Sequence, residues 1–273
     1  MKARIPLRPA FLACTLLLLS GLHTPARAQG EVSVHTPDGP LISDTAPFID
    51  NGTTYVPLVA FAQSMDTYAV SWDGQTARLT SPELTLSATP GQHWLEANGR
   101  CLYVPDGVQL VDGRTMVPLR TLAQVYGLEL NWDAQTSSVF VSGEGKLLES
   151  GEDYYDEHTL YWLSRVISAE SQGEPLTGQI AVGNVVLNRL NSDVFPDDLY
   201  QVIFQPGQFE PVENGTIHNE PYHLSVIAAK LCLDGAQVVG DCMYFFAPDL
   251  SPGTWIVNNR TYYTTIGCHR FYL

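Results

Sequence analysis

Ser168-Ala169-Glu170-Ser171-Gln172-Gly173-Glu174-Pro175 closes one helix, and Gly178-Gln179-Ile180-Ala181-Val182-Gly183-Asn184-Val185-Val186-Leu187-Asn188-Arg189 supplies the next. Upstream, Leu160, Leu163, Val166 and Ile167 recur at three- and four-residue spacing, which predicts an amphipathic helix with one buried stripe. Glu170 falls on that stripe, three residues beyond Ile167 and seven beyond Leu163, so its carboxyl points toward the interior or a cleft. Burial disfavours the charged form and raises a carboxyl pKa, the condition a general acid needs near neutral pH. Glu174 follows Gly173, a helix stop, and precedes Pro175, which places it on the turn between the helices. The second helix, from about 177 to 189, buries Ile180, Val186 and Leu187, with Gly183 allowing close packing.

Further along come Phe195-Pro196, Gln205-Pro206-Gly207-Gln208-Phe209 and Thr265-Ile266-Gly267-Cys268-His269-Arg270-Phe271. Together with the two-helix stretch, and in the same order, these blocks resemble the SleB-type spore cortex-lytic (cell wall hydrolase) family over about 157–273. Glu-Ser at a helix end is also similar to the lytic transglycosylases and goose-type lysozymes, in which that Glu is the catalytic acid. The resemblance implies a lysozyme-like α+β catalytic domain acting on peptidoglycan glycan strands, with Glu170 catalytic and no metal or cofactor required. Gln172 stands where the family commonly has Arg. Candidate substrate contacts are Glu174, Gln179, Asn188, Gln208, Tyr244 and His269. A two-carboxylate glycosidase needs a second acid about 5–9.5 Å from the first; Asp193, Asp197, Asp198 and Glu210 qualify only by position. A lytic transglycosylase needs one carboxyl group, which first protonates the glycosidic oxygen between muramic acid and glucosamine. It then takes the proton of the sugar's 6-hydroxyl as a 1,6-anhydro ring closes. Met243-Tyr244-Phe245-Phe246 and Trp255-Ile256-Val257 read as strands, and 222–233 as a further helix.

The first half repeats itself. Asn51-Gly52-Thr53-Thr54-Tyr55-Val56-Pro57-Leu58 aligns with Asp112-Gly113-Arg114-Thr115-Met116-Val117-Pro118-Leu119. Ala62-Gln63 then matches Ala123-Gln124, and after a one-residue slip Trp72-Asp73 matches Trp132-Asp133. Two copies at this spacing are an internal duplication, about 40–80 and 104–142, rather than a solenoid. Each reads as strand, glycine turn, strand, short helix, strand, with Pro at the helix start and Leu119, Leu122, Ala123 and Tyr126 at helical spacing. The pattern resembles the stalk domain named after the copper amine oxidase N-terminal domain. The first copy departs from it, with Val59 in place of Arg and no glycine at the helix end. Copper is not implied, since His93 is the only histidine between 36 and 157. Trp72 and Trp132 read as core anchors, and the half as a spacer or wall-targeting module.

The 273 residues accordingly divide into a duplicated α+β stalk domain (31–145), an acidic linker (146–153) and the catalytic domain (154–273). Residues 1–28 carry Lys2, Arg4 and Arg8, a short apolar run and Ala26-Arg27-Ala28, which predicts an export signal cleaved before Gln29. The apolar run is too short to span a bilayer, so no membrane insertion is expected after cleavage, and the destination is the cell wall or spore cortex. Loss of the signal removes four of 14 basic residues and no acidic one, leaving a net charge of −19. That balance excludes nucleic acid as a partner and leaves glycan recognition to hydrogen bonds and aromatic faces. Four cysteines remain, and a disulfide is expected within the second half, Cys232–Cys242 or Cys242–Cys268. His218 and His223 with Glu220 make a poor zinc motif, because Pro221 interrupts the helix it would need.

Overall fold

The computed structural model describes residues 30–273 apart from Glu144, with side chains from Val32 onward. The export signal expected over 1–28 lies outside the described residues. The fold is mixed α+β, strand-rich in its first half and helix-rich in its second. Among the described residues no helix is long and apolar enough to cross a membrane.

The first half runs β1 (Gly30–Glu31), β2 (Ser33–Thr36), β3 (Gly39–Pro40), β4 (Phe48–Asp50), β5 (Thr53–Pro57), α1 (Leu58–Gln63), β6 (Ala69–Trp72) and β7 (Ala77–Thr80). It continues through β8 (Thr85–Ala88), β9 (Trp94–Ala97), β10 (Arg100–Tyr103), β11 (Gln109–Val111), β12 (Arg114–Pro118), α2 (Leu119–Tyr126), β13 (Glu129–Asp133) and β14 (Ser138–Ser142). Strand, strand, helix, strand, strand thus occurs twice. Asn51-Gly52 and Asp112-Gly113, both pairs at positive φ, make the two-residue turns. Gly127, left-handed at φ 63°, ends α2, whereas α1 ends on right-handed Ser64. β5 and β12 pair antiparallel with Val56 opposite Val117, so positions 61 apart in sequence meet across one ladder. The strands form three sheets, ordered β1-β4-β5-β12-β11, β10-β9-β8-β7-β6 and β13-β14-β2-β3. Leu58, Phe61, Leu119 and Leu122 fill the core between them.

Trp72 and Trp132 are not core anchors. Each is 51% exposed, because β6 and β13 are edge strands whose hairpins turn the indole outward. Asp73 and Asp133 explain the residue that follows each tryptophan. Both carboxylates cap the next turn, accepting from the amides of Gln75 and Gln135, respectively, at 3.0 and 2.8 Å.

The second half packs α4 (Glu157–Ser171), α5 (Leu176–Leu190) and α8 (His223–Leu233) together, after a short α3 (Gly151–Tyr154). The smaller helices α6 (Leu199–Ile203) and α7 (Glu210–Asn214) lie between α5 and α8 in sequence. β15 (Tyr244–Phe246), β16 (Tyr262–Ile266) and β17 (His269–Tyr272) make a sheet ordered β15-β17-β16. Gly183 has the role expected of it. A Cβ there would lie 2.6 Å from the Cys232 sulfur and 2.8 Å from Ile167 Cδ1, so α5 can press on α4 and α8 only without one. Trp255-Ile256-Val257 does not form a strand. It belongs to a helix, α9 (Thr254–Asn259), started by Gly253 at φ 54° and partly exposed along its length. Among the described residues the expected disulfide is absent too, and Cys101, Cys232, Cys242 and Cys268 are free. Cys232 sits inside the three-helix core, where its thiol donates to the Ile180 carbonyl at 3.4 Å, and Cys101 is buried against the same core from the first half.

Residues 146–150 carry no helix or strand, but they are tied down. The Leu148 amide donates to the Val125 carbonyl at 2.8 Å, and Gly151 to Asn98 at 2.7 Å. Beyond this connection the halves share a buried contact. Arg100 of β10 pairs with Asp234 just past α8, and Tyr155 donates to the same carboxylate. Lys230 donates to the Gly99 carbonyl at 2.8 Å, while Trp94, Cys101 and Tyr103 join the helical core.

Candidate active site

Asp156 caps α4 by accepting from the Thr159 amide, and the buried Leu163, Val166 and Ile167 fix which way the last turn faces. Glu170 on that turn is partly buried, and among the described residues its carboxyl receives no hydrogen bond. Burial, with the negative charge of Glu210 adding to it, pushes its pKa up to about 7 against a partial pull from Arg189. The carboxyl therefore holds its proton to much higher pH than an ordinary glutamate, as a general acid requires.

Arg189 of α5 is the nearby cation. It is 4% exposed, and burial lowers its pKa to about 10, offset by Tyr244 and Glu170. Its Nε donates to the Met243 carbonyl at 2.7 Å, but Nη1 is buried without a partner. The rings of Phe195, Phe209 and Tyr244 surround the guanidinium at 4.9, 5.2 and 5.7 Å. Tyr244 accepts from Arg260 at 2.9 Å and meets Trp255 with ring centroids 5.9 Å apart. An aromatic wall, half-buried Tyr244 and exposed Trp255, thus continues outward from the buried arginine beside Glu170.

The other sequence candidates divide. Tyr244 lies in this neighbourhood, and Gln208 is exposed beside buried Phe209, one residue before Glu210. Glu174 instead clasps the β16–β17 turn, accepting from the Cys268 amide at 2.9 Å, with His269 Nδ1 at 3.8 Å. His269 is buried, which lowers its pKa despite Glu174, and its Nδ1 has no hydrogen bond. Gln179 is fully buried, donating to the Glu174 carbonyl at 3.0 Å and accepting from Ser225 at 2.7 Å. Asn188 donates to the carbonyls of Gly240 and Cys242 at 2.7 and 2.9 Å. The amide groups of these two hold the segments after α8 and around α5 in place. Glu210 is a sequence candidate only by position. Trp255 and Arg260 were missed as members of this wall, because a strand reading of 255–257 directs the indole elsewhere.

His218 lies in a 3-10 turn against Trp162 and Phe204, and Glu220 accepts from Arg165 at 2.9 Å. Among the described residues no group of three or more His, Cys, Asp or Glu side chains is placed to hold a metal.

Residues 173–272 match the family described as Cell Wall Hydrolase, and residues 38–141 the Copper amine oxidase N-terminal domain. The first of these spans begins three residues after Glu170. The chain is 35% identical over 156 residues to a spore cortex-lytic enzyme of Oceanobacillus iheyensis, covering 53% of this chain and 54% of that one. It is 37% identical over 117 residues to that of Halalkalibacterium halodurans, covering 43% and 35%. The chain therefore spans about half or less of the length of these curated relatives. Among solved structures, the catalytic domain of the germination-specific lytic transglycosylase SleB from Bacillus anthracis matches at 32% identity and a TM-score of 0.42. That match covers 46% of this chain and all of the other.

Proposed function

We propose that the protein, whose residues 173–272 match the Cell Wall Hydrolase family and whose residues 38–141 match the Copper amine oxidase N-terminal domain, is exported and cleaves peptidoglycan glycan strands through Glu170. The observation that carries this is a carboxyl raised to about 7, free of hydrogen bonds and set beside a buried, incompletely paired arginine and an aromatic wall. Protonated Glu170 gives its proton to the glycosidic oxygen as the bond from muramic acid C1 breaks. The carboxylate then takes the proton of the same sugar's 6-hydroxyl while that oxygen bonds to C1, which regenerates the acid without consuming water. Arg189 moderates the carboxyl's pKa, Tyr244 and Gln208 contact the sugar, and Glu174, Gln179, Asn188 and His269 hold the frame. We read the frame as lysozyme-like, and the first half as one duplicated stalk unit.

Hydrolysis with Glu210 as the second carboxylate is the competing reading, favoured by the effect of its charge on Glu170. Mass spectrometry of muropeptides released from purified peptidoglycan, with Glu170→Gln in parallel, separates the two. Products with 1,6-anhydro ends, absent in the variant, are expected. Reducing ends would move the base role to Glu210, and release undiminished in the variant would remove Glu170 from the mechanism.

A further inference from the structure

Each copy in the first half carries a groove floored by its exposed tryptophan. The first, about 400 Å³, takes Trp72 and Gln63 from its own copy and Arg114 and Thr115 from the hairpin of the other. The second, about 670 Å³, takes Trp132, Gln124 and Arg120 from its own copy and Thr53 and Thr54 from the opposite hairpin. The correspondence follows from the β5–β12 ladder. Because Val56 lies opposite Val117, each hairpin reaches across to the other copy's helix and tryptophan, and the two grooves are built alike. Both volumes lie in the range of small-ligand sites. Gln63 and Gln124 are exposed, and the two indoles are equally so.

An indole face beside an amide and hydroxyls suits a pyranose ring, whose C–H face is apolar and whose rim bears hydroxyl and acetamido groups. It suits little else that a chain with this acidic excess would meet as a polymer, since a polyanion is repelled. The charged residues of the two grooves come from different positions. Arg120, exposed and without an ion pair among the described residues, has Val59 as its counterpart, and Arg114 in the first groove is paired with Asp44. Each groove thus carries one arginine and one carboxylate, Asp44 in the first and Asp106 in the second, and both suit an uncharged sugar.

We propose that the first half is a bivalent glycan-binding module whose Trp72 and Trp132 grooves grip two sugars of peptidoglycan. The identity of the polymer rests on the lytic reading above, whereas the existence of two sugar sites does not. Two sites on one polymer add their effects through effective concentration, and the buried contact between the halves holds the module beside the lytic domain.

The test uses the mature chain carrying Glu170→Gln, so that the polymer survives, in co-sedimentation with purified sacculi. Trp72→Ala and Trp132→Ala should each weaken binding about fivefold and the pair more than about 20-fold, with the melting temperature unchanged. Gln63→Ala with Gln124→Ala, at exposed positions that do not support the core, should weaken it as well. Undiminished binding by the double tryptophan variant, or by a folded double glutamine variant, overturns the proposal. Tryptophan-dependent binding by a parent chain that releases no muropeptides would sustain it while removing the lytic reading.

Discussion

A carboxyl that titrates near neutrality is a burden on the fold. The folded protein holds the Glu170 proton between its ordinary pKa of 4.5 and about 7, where the unfolded chain has released it. Stability therefore falls as pH rises through that window and stays lower above it, by about 3 kcal/mol at most. Glu170→Gln should erase this slope and raise the melting temperature at pH 8, while lowering muropeptide release by a factor of about 10² or more. A melting curve with the same pH slope as the parent would contradict the burial of this group. Arg189 holds the carboxyl's pKa down, so Arg189→Met should move the alkaline limb of the activity profile, placed near pH 7, to higher pH. An unmoved limb would mean that another group sets it. Helical spacing alone was enough to put Glu170 on the buried stripe. The unpaired Nη1 of Arg189 and the influence of Glu210 were not legible, because they depend on how α5 and α7 close on α4.

Where helices met strands, local pattern succeeded or failed for identifiable reasons. The spacing of Leu119, Leu122, Ala123 and Tyr126 gave α2 correctly, and the missing glycine after the first copy's helix corresponds to an end on right-handed Ser64. Trp255-Ile256-Val257 misled because three bulky apolar residues suit a strand as well as a single helical turn, and only the left-handed Gly253 before them decides. Trp72 and Trp132 misled because edge position is a property of sheet order, which sequence does not contain. Gly267 offers a direct test of how the β16–β17 turn is held. A Cβ there would lie 1.6 Å from Glu174 Oε2 on a backbone at φ 57°. Gly267→Ala should therefore expel Glu174 from the Cys268 amide and cost about 1–3 kcal/mol of stability. Denaturant unfolding measures it, and a change below about 0.5 kcal/mol would show that the clasp is dispensable.

The two halves behave as one body only if their contact survives, and at its centre is a charge pair almost sealed from water. The side chains of Arg100 and Asp234 are 7% and 1% exposed, with Tyr155 on the same carboxylate. Asp234→Ala would strand the guanidinium and should cost about 3–5 kcal/mol. Calorimetry should then resolve two transitions where the parent shows one; a single unshifted transition would mean that the halves unfold independently of this pair. None of this was visible in a sequence whose junction looks like a polar spacer, since Arg100 and Asp234 lie far apart along the chain. The ends of the first half carry a different consequence. β2 runs parallel to β14, Ser33 beside Ser138 and Val34 beside Val139. A pull that enters before residue 33 and leaves after residue 142 draws these strands lengthwise past each other, loading their ladder bonds together instead of peeling them singly. Tension arriving along those two ends would be borne as a rope splice bears it, and the lifetime under load would follow the unfolding rate of that splice.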